Sequence, residues 1–425
     1  MSSRIPGFYR LPPEARLSAL AEHMGVDVAG YRQQGLSLDA ADIMVENVIS
    51  TFALPCGVGI NLLLNGRDVV VPMVVEEPSV VAAVSNMARL TRVAGGIHAE
   101  ADDGLMIGQV QLAGAEHTET AAQALRDAIP ELMELGHGVH PRLEERGGGL
   151  REMEVRVVRY DEPGEQAEDF VVLHFVLDCV DAMGANMVNT LAERLAPVCE
   201  RVTGARVGLR ILSNLADKRL ARARCVLRPE HLDHGDLNGE EVAAGIAEAY
   251  RFAWADPYRA ATHNKGVMNG IDAVALATGN DWRAIEAGAH AFAARDGQYR
   301  PLTSWKLVGG MLHGNIEVPL QVGTVGGPIK VHPTVQDNLN MLGVTRAREL
   351  AGVMAAVGLV QNLGALRALA TEGIQQGHMR MHARSVAATA GAVGDEVPLL
   401  ASRLHMLGDF SVATANRELA ELRAR

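Results

Sequence analysis

The segment PYRAATHNKGVMNGID sets Arg259, His263, Asn264, Lys265 and Asn269 close together among apolar neighbours, and ATGNDWRAIEAG follows with Asp281. Lys265 is one of only four lysines, with Lys218, Lys306 and Lys330, against 35 arginines. Coding bias accounts for the shortage. A lysine kept inside such a cluster nevertheless offers what arginine does not, a compact charge that can be aimed at one atom and that changes its pKa when buried. On composition alone a solvated loop explains the segment equally well.

Other groupings carry chemistry of different kinds. VVEEPS brings Glu76 and Glu77 from a strand to the start of a helix, where backbone N–H groups point outward and hold ligands. DCVDAMGANMVNT joins a strand to a helix through Asp181, Gly184 and Asn186, a composition that suits small-molecule contact and equally a plain helix cap. EHLDHGD clusters His231, Asp233, His234 and Asp236 at a spacing that metal ligands adopt, which supports an alternative reading as a metal-dependent hydrolase or lyase. HMRMH sets His378 and His382 one helical turn apart with no acidic residue between them, and spacing alone favours surface or capping histidines. Gly147 to Gly149, and Gly323, Gly326 and Gly327, read as turns before phosphate cradles. Neither a G-x-G-x-x-G loop after a strand, a Walker loop, a G-x-S-x-G elbow nor an H-E-x-x-H helix occurs.

The chain that must position these residues has 425 of them, 48% hydrophobic and 21% charged, the profile of a globular protein of two or three domains. A net charge of −12 argues against a nucleic-acid partner, whose phosphates demand clustered cations. No apolar stretch reaches membrane-spanning length and the N-terminus lacks a signal-peptide core, so the expectation is a cytoplasmic protein. Cys56, Cys179, Cys199 and Cys225 are scattered without a C-x-x-C pair and read as buried small hydrophobes.

Asn65-Gly66 between two β-favouring runs predicts a two-residue hairpin, and Pro78 opens a helix that ends at Gly95-Gly96. From about Leu105 the elements shorten: LMIGQVQLAG is a strand, HTETAAQALRDAIPELMEL a helix, LREMEVRVVRY and DFVVLHFVLDC two strands, NMVNTLAERLAPVCERV a helix and ARVGLRILS a strand. That order, β-α-β-β-α-β, is the split arrangement of ferredoxin-like domains. The expected fold class is α+β. A large mixed α/β domain occupies 1–104 and 218–372, an inserted small domain 105–217, and a helical, Ala-rich cap 373–425.

VENVISTFALPCGVGINLLLNGRDVVVPMVVEEPSVVAA, DAMGANMVNT, RILSNLADKRLARA, DPYRAATHNKGVMNGIDAVALATGNDWRAIEAGAHA and NLGALRALATEGIQQGHM together resemble the class II, bacterial 3-hydroxy-3-methylglutaryl-CoA (HMG-CoA) reductases, in the family's order over nearly the whole chain. The resemblance implies that the large domain holds acyl-CoA, the small domain holds NADH or NADPH, and the C-terminal piece is a flap. It implies a catalytic set of Glu77, Lys265, Asp281 and His378, acyl-CoA contacts at Ser79, Arg259 and Asn269, and cofactor contacts at Asp181, Met183, Gly184, Asn186 and Asn214. It further implies a homodimer with shared sites, Glu46 to Val48 lying at the contact. The reaction interconverts HMG-CoA with mevalonate and CoA through two hydride transfers, and no metal is required.

Residue types fit the implied roles. Negative charge develops twice on one carbonyl oxygen, and a fixed cation there, Lys265, is the main stabiliser. Asp281 would keep that ammonium charged and aimed. Glu77 would supply protons to the oxygen, and His378, with an ordinary pKa of about 6.5, suits protonation of the departing thiolate. Two departures stand out. Where well-known class II members place an aspartate seven residues before the triple glycine, this chain has His140, with Arg142 nearby, so nothing acidic there would repel a 2′-phosphate. NADH and NADPH are left close to even, with a lean to NADH on class grounds. Tyr9, followed by Arg10, stands where the family has an arginine near the CoA phosphates. An acyl-CoA-binding protein without catalysis remains a further alternative.

Overall fold

A computed structural model describes residues 2–32, 35–371 and 383–424. His378 and His382 lie outside the described residues. The strands are β1 (Cys56–Leu64), β2 (Arg67–Val74), β3 (His98–Ala101), β4 (Leu105–Ala113), β5 (Gly149–Tyr160), β6 (Glu168–Asp178), β7 (Arg206–Leu212), β8 (Leu220–Leu227), β9 (Thr303–Val308) and β10 (Met311–Pro319). Among the described residues they form a β1-β2 hairpin and two four-stranded sheets, ordered β3-β8-β10-β9 and β5-β6-β4-β7. Every neighbouring pair is antiparallel.

The hairpin turns where Asn65-Gly66 predicts. Both residues have positive φ, 48° and 76°, the geometry that two-residue turns demand. Asn65 also clamps the turn to β3, its amide donating to Ala99 O at 2.8 Å and its carbonyl accepting from Ala99 N at 2.9 Å. The following helix runs Val80–Val93 rather than from Pro78, with Ser79 at its N-cap in a left-handed conformation, φ 83°. The single helix expected over HTETAAQALRDAIPELMEL is two, Thr118–Asp127 and Ile129–Gly136, broken ahead of Pro130, which has no N–H to continue the ladder.

Two cores divide the chain between the four-stranded sheets. One gathers side chains of β2, β8, β10 and the long helices, among them Met73, Val267, Ile271, Trp305 and Leu363. The other gathers β4, β6 and the helix Ala185–Thr203, among them Val110, Leu173, Phe175 and Leu191. Each owes its coherence to removal of apolar surface from water. The helix Ala347–Ala370 is long and apolar enough to cross a membrane by composition, yet its residues are mostly buried against other elements of this fold. A third small cluster, with Val386, Leu400, Leu404 and Leu419, holds the C-terminal helices Glu396–Leu407 and Val412–Arg423 together. One sequence expectation fails here: Cys179, Cys199 and Cys225 are buried, but Cys56, first residue of an edge strand, is exposed.

Candidate active site

Lys265 sits on the helix Pro257–Ala277, which starts on Pro257 with Asp256 capping Tyr258 N. Its two preceding residues are buried and anchor the helix. Asn264 donates to Arg300 O at 2.9 Å and accepts from Leu302 N at 2.9 Å. His263 Nε2 lies 2.6 Å from Thr303 Oγ1, and that hydroxyl donates to Asn362 Oδ1 at 2.8 Å, which also accepts from Trp305 Nε1 at 2.8 Å. Since the threonine proton is committed to Asn362, the His263 ring must donate through Nε2, and Nδ1 is left without a partner. Burial, reinforced by Arg259, lowers the His263 pKa to about 3, so the ring is neutral. With residues 263 and 264 fixed inward, Lys265 projects outward and its ammonium meets Glu77 Oε2 at 2.7 Å.

Glu77 reaches that position from the end of β2. The left-handed Ser79 turns the chain into the next helix, and its hydroxyl caps no backbone N–H there. Asn269 is one turn beyond Lys265 on the same helix face. Arg259 is half-buried on the helix's first turn, where loss of solvent holds its pKa below the usual arginine range. A groove of about 1950 Å³ runs past Glu77 and Ser79 toward Tyr9, Arg16 and Arg89.

A second constellation lies elsewhere. Asp281 caps the helix Trp282–Ala293, accepting from Arg283 N and Ala284 N and pairing with the Arg283 side chain at 3.2 Å. Its neighbour Asn280 exchanges two hydrogen bonds with Gly323, at 2.7 and 3.2 Å. Gly323 in turn approaches the Asp181–Gly184 loop so closely that a Cβ on it would stand 2.8 Å from Met183 N. Asp181 accepts from Thr324 N at 2.9 Å through its carbonyl and from Ala347 N at 2.8 Å through its carboxylate. Gly184, φ 104°, opens the 19-residue helix Ala185–Thr203, and a Cβ there would strike Cys179 Sγ at 2.3 Å. Asn214 accepts from Gln321 through its main chain and packs on Gly288 of the Asp281 helix. His140 is held by a 2.9 Å contact from Nε2 to Met187 O, in the first turn of the helix that Gly184 opens.

A sequence profile described as hydroxymethylglutaryl-coenzyme A reductase matches residues 12–383. A 3-hydroxy-3-methylglutaryl-coenzyme A reductase of Archaeoglobus fulgidus is 49% identical, covering 100% of this chain and 96% of its own. A reductase structure from Streptococcus pneumoniae superposes with a TM-score of 0.83 at 42% identity, covering 98% of this chain and 99% of that one. A second from the same organism, described as class II and bound to NADPH in open conformations, gives 0.81 at 42% identity, covering 97% and 100%. The chain belongs to the hydroxymethylglutaryl-coenzyme A reductase family. Within it the chain is of the class II type, an oxidoreductase that uses NAD(P)H and acts on HMG-CoA.

For a reductase the single chain distributes its residues unexpectedly. Glu77, Ser79, Lys265 and Asn269 share one region, whereas Asp281, Asn214 and the Asp181–Gly184 loop share another. Lys265 precedes the helix end at Ala277 by twelve residues, which at 1.5 Å rise is about 18 Å along the axis, and Asp281 lies beyond that end. Within one chain Asp281 therefore stands away from Lys265 and pairs with Arg283, whereas Glu77 contacts the Lys265 ammonium. Lys218 pairs with Glu152 of β5, a structural partner for another of the rare lysines. EHLDHGD supplies no metal centre: Asp233 accepts from Gly239 N, His234 Nδ1 meets Arg367, and no group of three potential ligands forms among the described residues. The hydrolase alternative is set aside on that geometry. Residues that the sequence did not single out are Thr303, Asn362 and Arg219, polar side chains whose partners are far away in the chain.

Proposed function

We propose that this reductase converts HMG-CoA to mevalonate and CoA with two equivalents of reduced nicotinamide, at sites built from two copies of the chain. The observation that carries the reading is the contact between Lys265 Nζ and Glu77 Oε2 at 2.7 Å, an exposed ammonium paired with a carboxyl that lines a large groove. Lys265 meets the negative charge on the reacting carbonyl oxygen, and Glu77 delivers the proton there. Ser79, Arg259 and Asn269 contact the acyl-CoA. His378 protonates the departing thiolate. Asp281 comes from the second copy, because about 18 Å of helix runs from Lys265 to Ala277 and Asp281 lies beyond that end in the same chain, and Asn214 comes with it, packed against Gly288 of the Asp281 helix. Apolar side chains beside Glu46 to Val48 favour that dimer: Ile43, Ile49 and Phe52 are 81%, 95% and 91% exposed in the single chain, surface that a partner would cover.

Residues 105–217 are proposed as a ferredoxin-like unit for the cofactor, residues 1–104 and 218–372 as the acyl-CoA and dimerisation domain, and 373–425 as the flap. The donor set at the loop fits a dinucleotide: Gly184 lets backbone N–H groups of a long helix face an incoming diphosphate, with Asp181, Met183 and Asn186 alongside. When bound, the cofactor supplies hydride. His140 and Arg142 face its adenosine end in this reading, and the choice between NADH and NADPH is made there. Four free thiols accord with a cytoplasmic setting.

The test follows oxidation of NADH and of NADPH separately with HMG-CoA and quantifies mevalonate. Two cofactors consumed per mevalonate supports the reading, and turnover with neither cofactor refutes it.

A further inference from the structure

Between β7 and β8, Arg219 is 95% buried, being 5% exposed, and no carboxylate reaches it at ion-pair distance among the described residues. Its guanidinium instead donates to three main-chain carbonyls from two separate stretches of chain: Ala182 O at 3.1 Å, Met183 O at 3.3 Å and Val322 O at 2.5 Å. The loop so gripped is one that would not hold its shape unaided. Val180, a β-branched residue, is at φ 53°, a strained conformation that persists only where surroundings over-determine it. Thr324 N to Asp181 O and Ala347 N to the Asp181 carboxylate complete the determination from the other side.

We infer that Arg219 is a positioning residue for the cofactor, tying the Asp181–Gly184 loop to the 322–324 segment and so presenting the N-terminus of the helix Ala185–Thr203 in binding geometry. Its buried positive charge, which Asp178 and Asp181 offset without touching it, lies behind a helix end that already favours anions. Arginine is needed because one planar fork satisfies acceptors on both walls, which a lysine ammonium on a single stem does only in part. The inference rests on the proposed reading of this loop as the cofactor site, and the experiment separates the two.

Dissociation constants of NADH, NADPH and HMG-CoA would be measured for the intact dimer carrying Arg219→Met, Arg219→Lys or Asn186→Ala, with steady-state constants alongside. The expected result for Arg219→Met is cofactor binding weaker by between about ten- and a hundredfold, the penalty of a misplaced binding element, with HMG-CoA affinity within about twofold of the parent. Arg219→Lys should recover part of the loss. If Arg219→Met binds cofactor normally while Asn186→Ala binds it weakly, Arg219 has no such role and the loop reading stands. If Asn186→Ala is also normal, the loop reading itself falls and takes the inference with it. Equal weakening toward cofactor and HMG-CoA makes Arg219 a structural residue only, and overturns the inference. Should Arg219→Met not fold, Arg219→Gln is read against the same outcomes.

Discussion

A dimer in which one subunit carries Lys265→Ala and the other Asp281→Asn should be active, although each homodimeric variant is not. About 18 Å of helix separates Lys265 from Ala277, and an extended lysine side chain spans roughly 6 Å, so no rotamer brings the ammonium to Asp281 of the same chain. At ion-pair distance near a protein surface the attraction is worth up to about 4 kcal/mol, whereas beyond about 10 Å at ordinary salt it is largely screened. The proposed action of Asp281 on Lys265 thus requires a second copy of the chain. In the mixed dimer one site then inherits both substitutions and the other inherits neither, giving about half the activity of the parent dimer. Co-expression with two affinity tags, sequential purification of the doubly tagged species and cofactor oxidation with HMG-CoA give the readout. Activity at the level of the two inactive homodimers would refute the shared site, because it would mean that every site draws both residues from one chain.

Three further outcomes follow from other parts of the molecule. Asp68 accepts from Arg92 at 2.7 and 3.0 Å and from Ser3 at 2.7 and 2.6 Å, which holds its carboxyl well below the usual range; Asp68→Ala should lose about 2 kcal/mol of unfolding free energy at neutral pH, and in denaturation measurements the difference should begin to shrink at the ordinary carboxylate range and go on shrinking as pH falls toward the depressed value. Burial and a hydrogen bond to Glu286 push the Asp272 carboxyl well above that range, so the proton is taken up on folding and the contribution, full below about pH 4, is lost as pH rises; thermal melts of Asp272→Asn should show weaker destabilisation between neutral and alkaline pH than the parent. His378→Ala should slow turnover of HMG-CoA far more than that of the free aldehyde mevaldate, which has no thiolate to protonate, and equal slowing would remove the thiolate role.

Much of the architecture was legible because it rests on local rules. Asn65-Gly66 declares its turn by backbone conformation alone, and the alternation in LREMEVRVVRY and DFVVLHFVLDC declares β5 and β6. The order of β4 to β7 came from the same periodicity. What was illegible is non-local. Nothing near Arg219 in sequence indicates that its partners lie at residues 182, 183 and 322, and nothing near His263 points to Thr303 and Asn362. Ser79 and Val180 carry strain that no propensity predicts, since neither residue type favours positive φ. The motifs set Lys265 and Asp281 in consecutive stretches of sequence. Only the helix between them shows that one chain holds them apart.

In the proposed reaction the Lys265 ammonium, paired with Glu77, stabilises the charge on the reacting carbonyl oxygen. Replacing Lys265 with Met and measuring HMG-CoA binding and turnover on one preparation tests it. The expected result is acyl-CoA affinity close to the parent and a kcat lower by at least about a hundred- to a thousandfold, the loss seen when one oxyanion donor is removed. An unchanged kcat in a variant that binds HMG-CoA normally would contradict the account.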